Sequence, residues 1–165
     1  MLYIKSFLII FVAGILTTGM AHAEHPNDAD ALENISEGKV VWDITTQNPK
    51  RLLVYLNVIQ QTYDDLVRQD VKPDMVFTFR GPVLKLISTQ PLDLDLEDEA
   101  AHEEAIELLK AMRQKPGVKM ESCSLAARLM GIDNETIIPE VKPVGNTFVS
   151  LIGYQKQGYA LIPIY

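Results

Sequence analysis

The chain has one cysteine in 165 residues, Cys123, and that scarcity excludes an intramolecular disulfide. Three readings of the thiol remain: a reactive nucleophile, an intermolecular link, or an inert core residue. Histidine is also scarce. Of the three, His22 lies in the N-terminal leader, His25 just after it, and His102 on a helical stretch, with no partner at metal-ligand spacing. Neither a metal centre nor a Ser-His-Asp array finds support, and no cofactor is expected. Cations are outnumbered, with 15 Lys and Arg against 22 Asp and Glu and a net charge of −7. A chain so acidic has no clustered positive surface for phosphate backbones or anionic lipid, so nucleic acid and membrane are not expected partners. No apolar run beyond the leader is long enough to span a bilayer. Gly145-Asn146-Thr147 has too few glycines for a phosphate loop. The acidic run from Asp93 to Glu104 reads as a solvated helix start rather than a cation site.

Residues 1–23 have the layout of a signal peptide: Lys5, an apolar run from Phe7 to Leu16, and Ala21-His22-Ala23 before the cut. The expected mature chain begins at Glu24 and is periplasmic. Residues 24–37 are polar and lack periodicity, which reads as a flexible linker. Residues 38–165 then form one domain.

Within it, strands and helices alternate. Lys39–Thr45 is a strand. Asn48-Pro49 gives a cap and a first-turn proline for a helix ending near Asp70, with Leu52, Leu56, Ile59, Tyr63 and Leu66 on one face. Asp74–Arg80 is the second strand, Val83–Ser88 a short helix, and Glu97–Gln114 a longer helix facing the core with Ala101, Ala105, Leu108 and Met112. Val118–Glu121 is the third strand and Cys123–Met130 a helix stopped by Gly131. Ile137–Val144 is a fourth strand, assigned to a sheet edge because Pro139 and Pro143 cannot donate to a ladder. Thr147–Gln157 is the last helix, with Phe148, Leu151 and Ile152 apolar, and Tyr159–Ile164 the fifth strand. This is the pattern of an α/β layer fold with a mostly parallel sheet.

Sites in such folds form outside the carboxyl ends of the strands. Arg80, Cys123 and Gly145-Asn146-Thr147 fall there. A thiol between a strand and a helix lies beside N-terminal amides, which favour the thiolate. Arg80 is a candidate to hold that thiolate or an anionic sulfur substrate. Ser122 is a candidate helix cap, with Ser124 a poorer one, and both are candidate anion-binding residues.

Four blocks carry a resemblance: Val40-Val41-Trp42-Asp43, Phe79-Arg80-Gly81-Pro82-Val83, Ser122-Cys123 followed by Gly131-Ile132, and Gln155-Lys156-Gln157-Gly158-Tyr159-Ala160. On these, residues 38–164 resemble the DsrE/DsrF-like (YchN-like) sulfur-relay family, in an exported branch. The resemblance implies a three-layer α/β/α domain with five parallel strands in the order 4-3-2-1-5, bringing Arg80 towards Cys123. It implies a homo-oligomer, a trimer or hexamer. It also implies a cysteine that carries sulfur as a persulfide between a donor and an acceptor protein, and Cys123 matches that position. The best-known relay members are cytoplasmic, so export is a departure that puts the usual partner set in question. The expected function is a periplasmic sulfur carrier on Cys123, more a carrier than a turnover enzyme. The rival is a non-catalytic oligomeric module that binds a small ligand or protein and whose cysteine is a spectator.

Overall fold

Val40, Val41, Trp42 and Ile44 follow one another with only Asp43 between, a run that suits a strand covered on both faces. In the computed structural model, which describes residues 26–165, they lie in β1 (Glu37–Ile44) near the middle of the sheet. The signal-peptide reading of residues 1–23 and the cut before Glu24 lie outside the described residues. Pro26–Ser36, read from sequence as linker, lies against the next helix: Asp28 N donates to Gln69 Oε1 at 2.6 Å and Arg68 Nη2 to the Pro26 carbonyl at 3.2 Å.

That helix, α1 (Pro49–Arg68), starts as its sequence dictates. Asn48 caps it by accepting from Arg51 N at 2.8 Å, and Pro49 fills the first turn, where no N–H is needed. Leu52, Leu56, Ile59 and Tyr63 are its buried stripe. β2 (Lys72–Phe79) and the short α2 (Val83–Leu86) follow, then α3 (Leu96–Arg113). Asp95 caps α3 by accepting from Glu97 N and Asp98 N, and Glu97, Asp98 and Glu99 occupy its first turn, so the acidic run serves the helix N-terminus. Its inward face uses Leu109 where the sequence suggested Leu108; the latter is half-buried.

β3 (Val118–Cys123) runs two residues beyond its expected end and leads directly into α4 (Ser124–Leu129). A 3-10 turn (Asn134–Thr136) leads to β4 (Lys142–Val144), α5 (Thr147–Lys156) and β5 (Ala160–Ile164). The five strands are all parallel, in the order β4-β3-β2-β1-β5. β4 lies at the edge, where Pro143 is tolerated, but has only three residues; Pro139 falls outside it, and Ile137, at the expected start, instead makes an isolated antiparallel bridge to Ser88.

Two layers of unequal thickness cover the sheet. α1 and α3 pack on one face over Trp42, Ile44, Phe77, Phe79 and Met120. On the other, α5 covers only Val41 and Val76 with Leu151 and Tyr159. Phe148 and Ile152, read as part of one apolar face with Leu151, point outward with Val149 and stay exposed.

Candidate functional site

Cys123 closes β3 and is the N-cap of α4, with an extended backbone. Strand alternation places its side chain on the α5 face, two positions after Glu121. The β4–α5 loop closes over it, tied by Leu125 N donating to the Gly145 carbonyl at 3.1 Å. Asn146 caps α5 by accepting from Phe148 N at 3.0 Å, which sets Thr147 as the first helical residue beside the sulfur.

Cys123 is 4 % exposed. Burial pushes its thiol up. Against this, the amide of Thr147, the amide of Ala126, the Thr147 hydroxyl and the amide of Leu125 together favour the thiolate, and the thiol ends below its ordinary value. Thr147 is fully buried, and its Oγ1 makes no regular hydrogen bond, yet lies near enough to the sulfur to stabilise the anion. The sulfur thus sits where two helices begin, among donors that gain most when it is charged.

The sequence candidates are distributed unevenly around it. Ser122 does not cap α4, because the strand continues through it. Its side chain points to the opposite face, fully buried, and its Oγ has no partner. Ser124 Oγ accepts from Asn134 Nδ2 at 3.0 Å and so holds the 3-10 turn; it does not cap α4 either. Arg80 follows β2 directly, and Phe79 pairs in register with Ser122, so Arg80 and Cys123 lie at the same end of two adjacent strands. Its guanidinium is taken up by Asp43, with Nε to Oδ1 at 2.8 Å and Nη2 to Oδ2 at 2.6 Å, and the Phe148 ring lies over it at 4.9 Å. The groups that lower the thiol most are amides and a hydroxyl. His102 binds the Leu86 carbonyl through Nε2 at 2.6 Å, away from the thiol.

Asp43 and Phe148 were not singled out from sequence for this site, and Thr147 was placed at the carboxyl-end loop with Gly145 and Asn146 but given no role at the sulfur. Asp43 had a signal, since a carboxylate inside a buried apolar strand requires a cation. Thr147 had one too, as the first residue after an Asn cap at a carboxyl-end loop. The same edge of the sheet carries a second feature, an open cleft of about 580 Å³ between Thr45, Thr46, Asn48, Arg51, Pro82 and Tyr165.

The fold recurs in solved proteins. A protein of unknown function from Methanobacterium thermoautotrophicum, MTH1491, is 18 % identical over 76 % of this chain and 98 % of its own, with a TM-score of 0.57. The YchN protein of E. coli is 14 % identical over 77 % of this chain and 98 % of its own, with a TM-score of 0.53. No curated protein matches the sequence. The model of the DsrE/DsrF-like family matches residues 59–164, which contain Arg80, Cys123 and Thr147. On that match and that fold, the chain belongs to the DsrE/DsrF-like family and is, at family level, a protein of the sulfur-relay type.

Proposed function

We propose that this protein carries sulfane sulfur as a persulfide on Cys123, in the periplasm and as a homo-oligomer. The observation that supports the carrier role most is the set of donors around the sulfur: three backbone amides and the Thr147 hydroxyl, all favouring thiolate. The step balances without an oxidant. The Cys123 thiolate attacks the outer sulfur of a donor R–S–SH, the donor S–S bond breaks, R–S⁻ leaves, and Cys123–S–SH forms. Discharge is the reverse exchange with an acceptor thiolate, and the same amides stabilise Cys123 as the leaving group. Arg80, fixed by Asp43, keeps Nη1 free of hydrogen bonds among the described residues and is the proposed contact for an anionic donor. Export rests on the leader, and assembly on the exposed Phe148, Val149 and Ile152.

The test is intact mass after incubation with a persulfide or polysulfide donor, for wild type and Cys123→Ser. Wild type should gain one sulfur atom and the variant none; no gain in either sinks the carrier role. The burial of Cys123 favours the second reading, a binding module with a spectator thiol. That reading requires slow reaction with thiol reagents and a midpoint near or above about 8.5.

A further inference from the structure

A thiol as enclosed as Cys123 must pass its proton to something before it can attack sulfur. Two side-chain oxygens on the α5 face are buried without a hydrogen-bond partner: Thr147 Oγ1, beside the sulfur, and Glu121 Oε2. Such atoms are uncommon in native proteins and point to a functional role. Glu121 stands two residues before Cys123 on β3. Their side chains therefore leave the same face, about 7 Å apart along the strand. The other carboxylate oxygen, Oε1, accepts from Tyr154 Oη of α5 at 2.8 Å, which fixes the carboxylate and leaves Oε2 unengaged under the helix.

We propose that Glu121 is the proton acceptor for Cys123, reached through the Thr147 hydroxyl directly or with one water. The inference rests on the carrier reading of Cys123. The Sγ proton passes to Thr147 Oγ1 as the Thr147 proton passes on to Glu121 Oε2. Cys123–SH and Glu121–COO⁻ become Cys123–S⁻ and Glu121–COOH, with no change in charge or oxidation state. The thiolate then forms beside a neutral acid rather than a second anion, which like-charge repulsion would oppose. The other titratable groups on this face are Tyr154 of α5, Tyr159 edge-on to it and donating to Asp74, Lys39 over the Tyr159 ring, Lys142 of β4 paired in register with Glu121, Lys119 on β3, and Arg80 with its partner Asp43.

A shared proton has a signature. Groups so coupled titrate as a pair, in two macroscopic steps. The reaction of the full-length protein with iodoacetamide should therefore show two steps with pH in wild type, with a shelf of reactivity between them. Glu121→Gln keeps an oxygen for Tyr154 to donate to. It should replace the shelf by a single step lying between the two of wild type, and slow sulfur uptake near neutral pH by about 100-fold, the lower end for a positioned acid–base group. Glu121→Asp should retain a reduced shelf, which a role confined to holding Tyr154 would not produce. A Glu121→Gln profile that superimposes on wild type overturns the proposal, as does a wild-type profile with one step only that Glu121→Gln moves to lower pH, the result of removing a repelling charge. If Glu121→Gln does not fold, Glu121→Asp decides alone: an unchanged shelf overturns the relay. Wild type that loads no sulfur rejects the carrier reading instead, so the two failures are distinct.

Discussion

At the residue scale, the thiol and its arginine neighbour divide their roles differently from what sequence suggests. Backbone amides and one hydroxyl lower the Cys123 thiol, while Arg80 neutralises a carboxylate that is 4 % exposed. Thr147→Val should raise the thiol midpoint by about one unit, since one unit is about 1.4 kcal/mol and a hydrogen bond to a charged group is worth about that or more. A titration of thiol reactivity checks it; an unmoved midpoint would remove the hydroxyl from the site. Arg80→Ala should act on stability instead. It strands Asp43 in the interior at a cost of about 3 kcal/mol, the low end for a broken buried pair because Arg80 is itself partly exposed. Urea unfolding measures this, and a large shift of the thiol midpoint with little loss of stability would reverse the assignment. Linkage gives a further check. The folded thiol lies below its unfolded value of 9.0, so its contribution to stability is full above that value and is lost as pH falls through the folded one. The stability gap between wild type and Cys123→Ser should therefore widen as pH rises towards 9.0.

At the element scale, most of the fold was legible and the reasons are local. Asn48-Pro49 marked the start of α1, and the 3.6-residue spacing of Leu52, Leu56, Ile59 and Tyr63 marked its face. Prolines placed β4 at the edge but concealed its length, because periodicity does not tell an edge strand from a loop that makes one bridge. The position of Cys123 at a strand–helix junction was legible as well. What surrounds it was not, because the donors are amides from two segments more than twenty residues apart, and amides carry no residue-type signal. Ser122 misled because the strand ran two residues further and took it in, where alternation turns its side chain to the face opposite Cys123. Gly117 shows where a local rule does bind. Its φ is +79°, and a Cβ there would collide with the Pro73 carbonyl oxygen in the turn that starts β3. Gly117→Ala should cost about 1–3 kcal/mol by thermal or urea unfolding, the range for a residue forced into such backbone.

At the scale of the whole molecule, the thin α5 layer covers two phenols on its inner side and leaves an apolar cluster exposed on its outer side. Beneath it, burial and donation to Glu121 raise the Tyr154 phenol above its ordinary value, and burial and donation to Asp74 do the same for Tyr159. The folded values being the higher ones, their stabilisation is full below about pH 10 and is lost as pH rises through the folded values. Wild type should therefore weaken to urea above pH 10 more steeply than Tyr154→Phe or Tyr159→Phe. Above the same layer, Phe148, Val149 and Ile152, which follow Thr147 by one, two and five residues, stay exposed at more than half their surface. Fully burying an aliphatic or aromatic side chain is worth about 1.5–3 kcal/mol, so this cluster gives a second copy of the chain a reason to dock. The protein should elute as a trimer or hexamer at micromolar concentration by light scattering. Ile152→Glu should shift it towards monomer while its folded-state circular dichroism persists. A wild-type monomer would remove the assembly and leave the thiol chemistry standing, because Thr147, Ala126 and Leu125, which lower the Cys123 thiol, belong to the same chain as the sulfur.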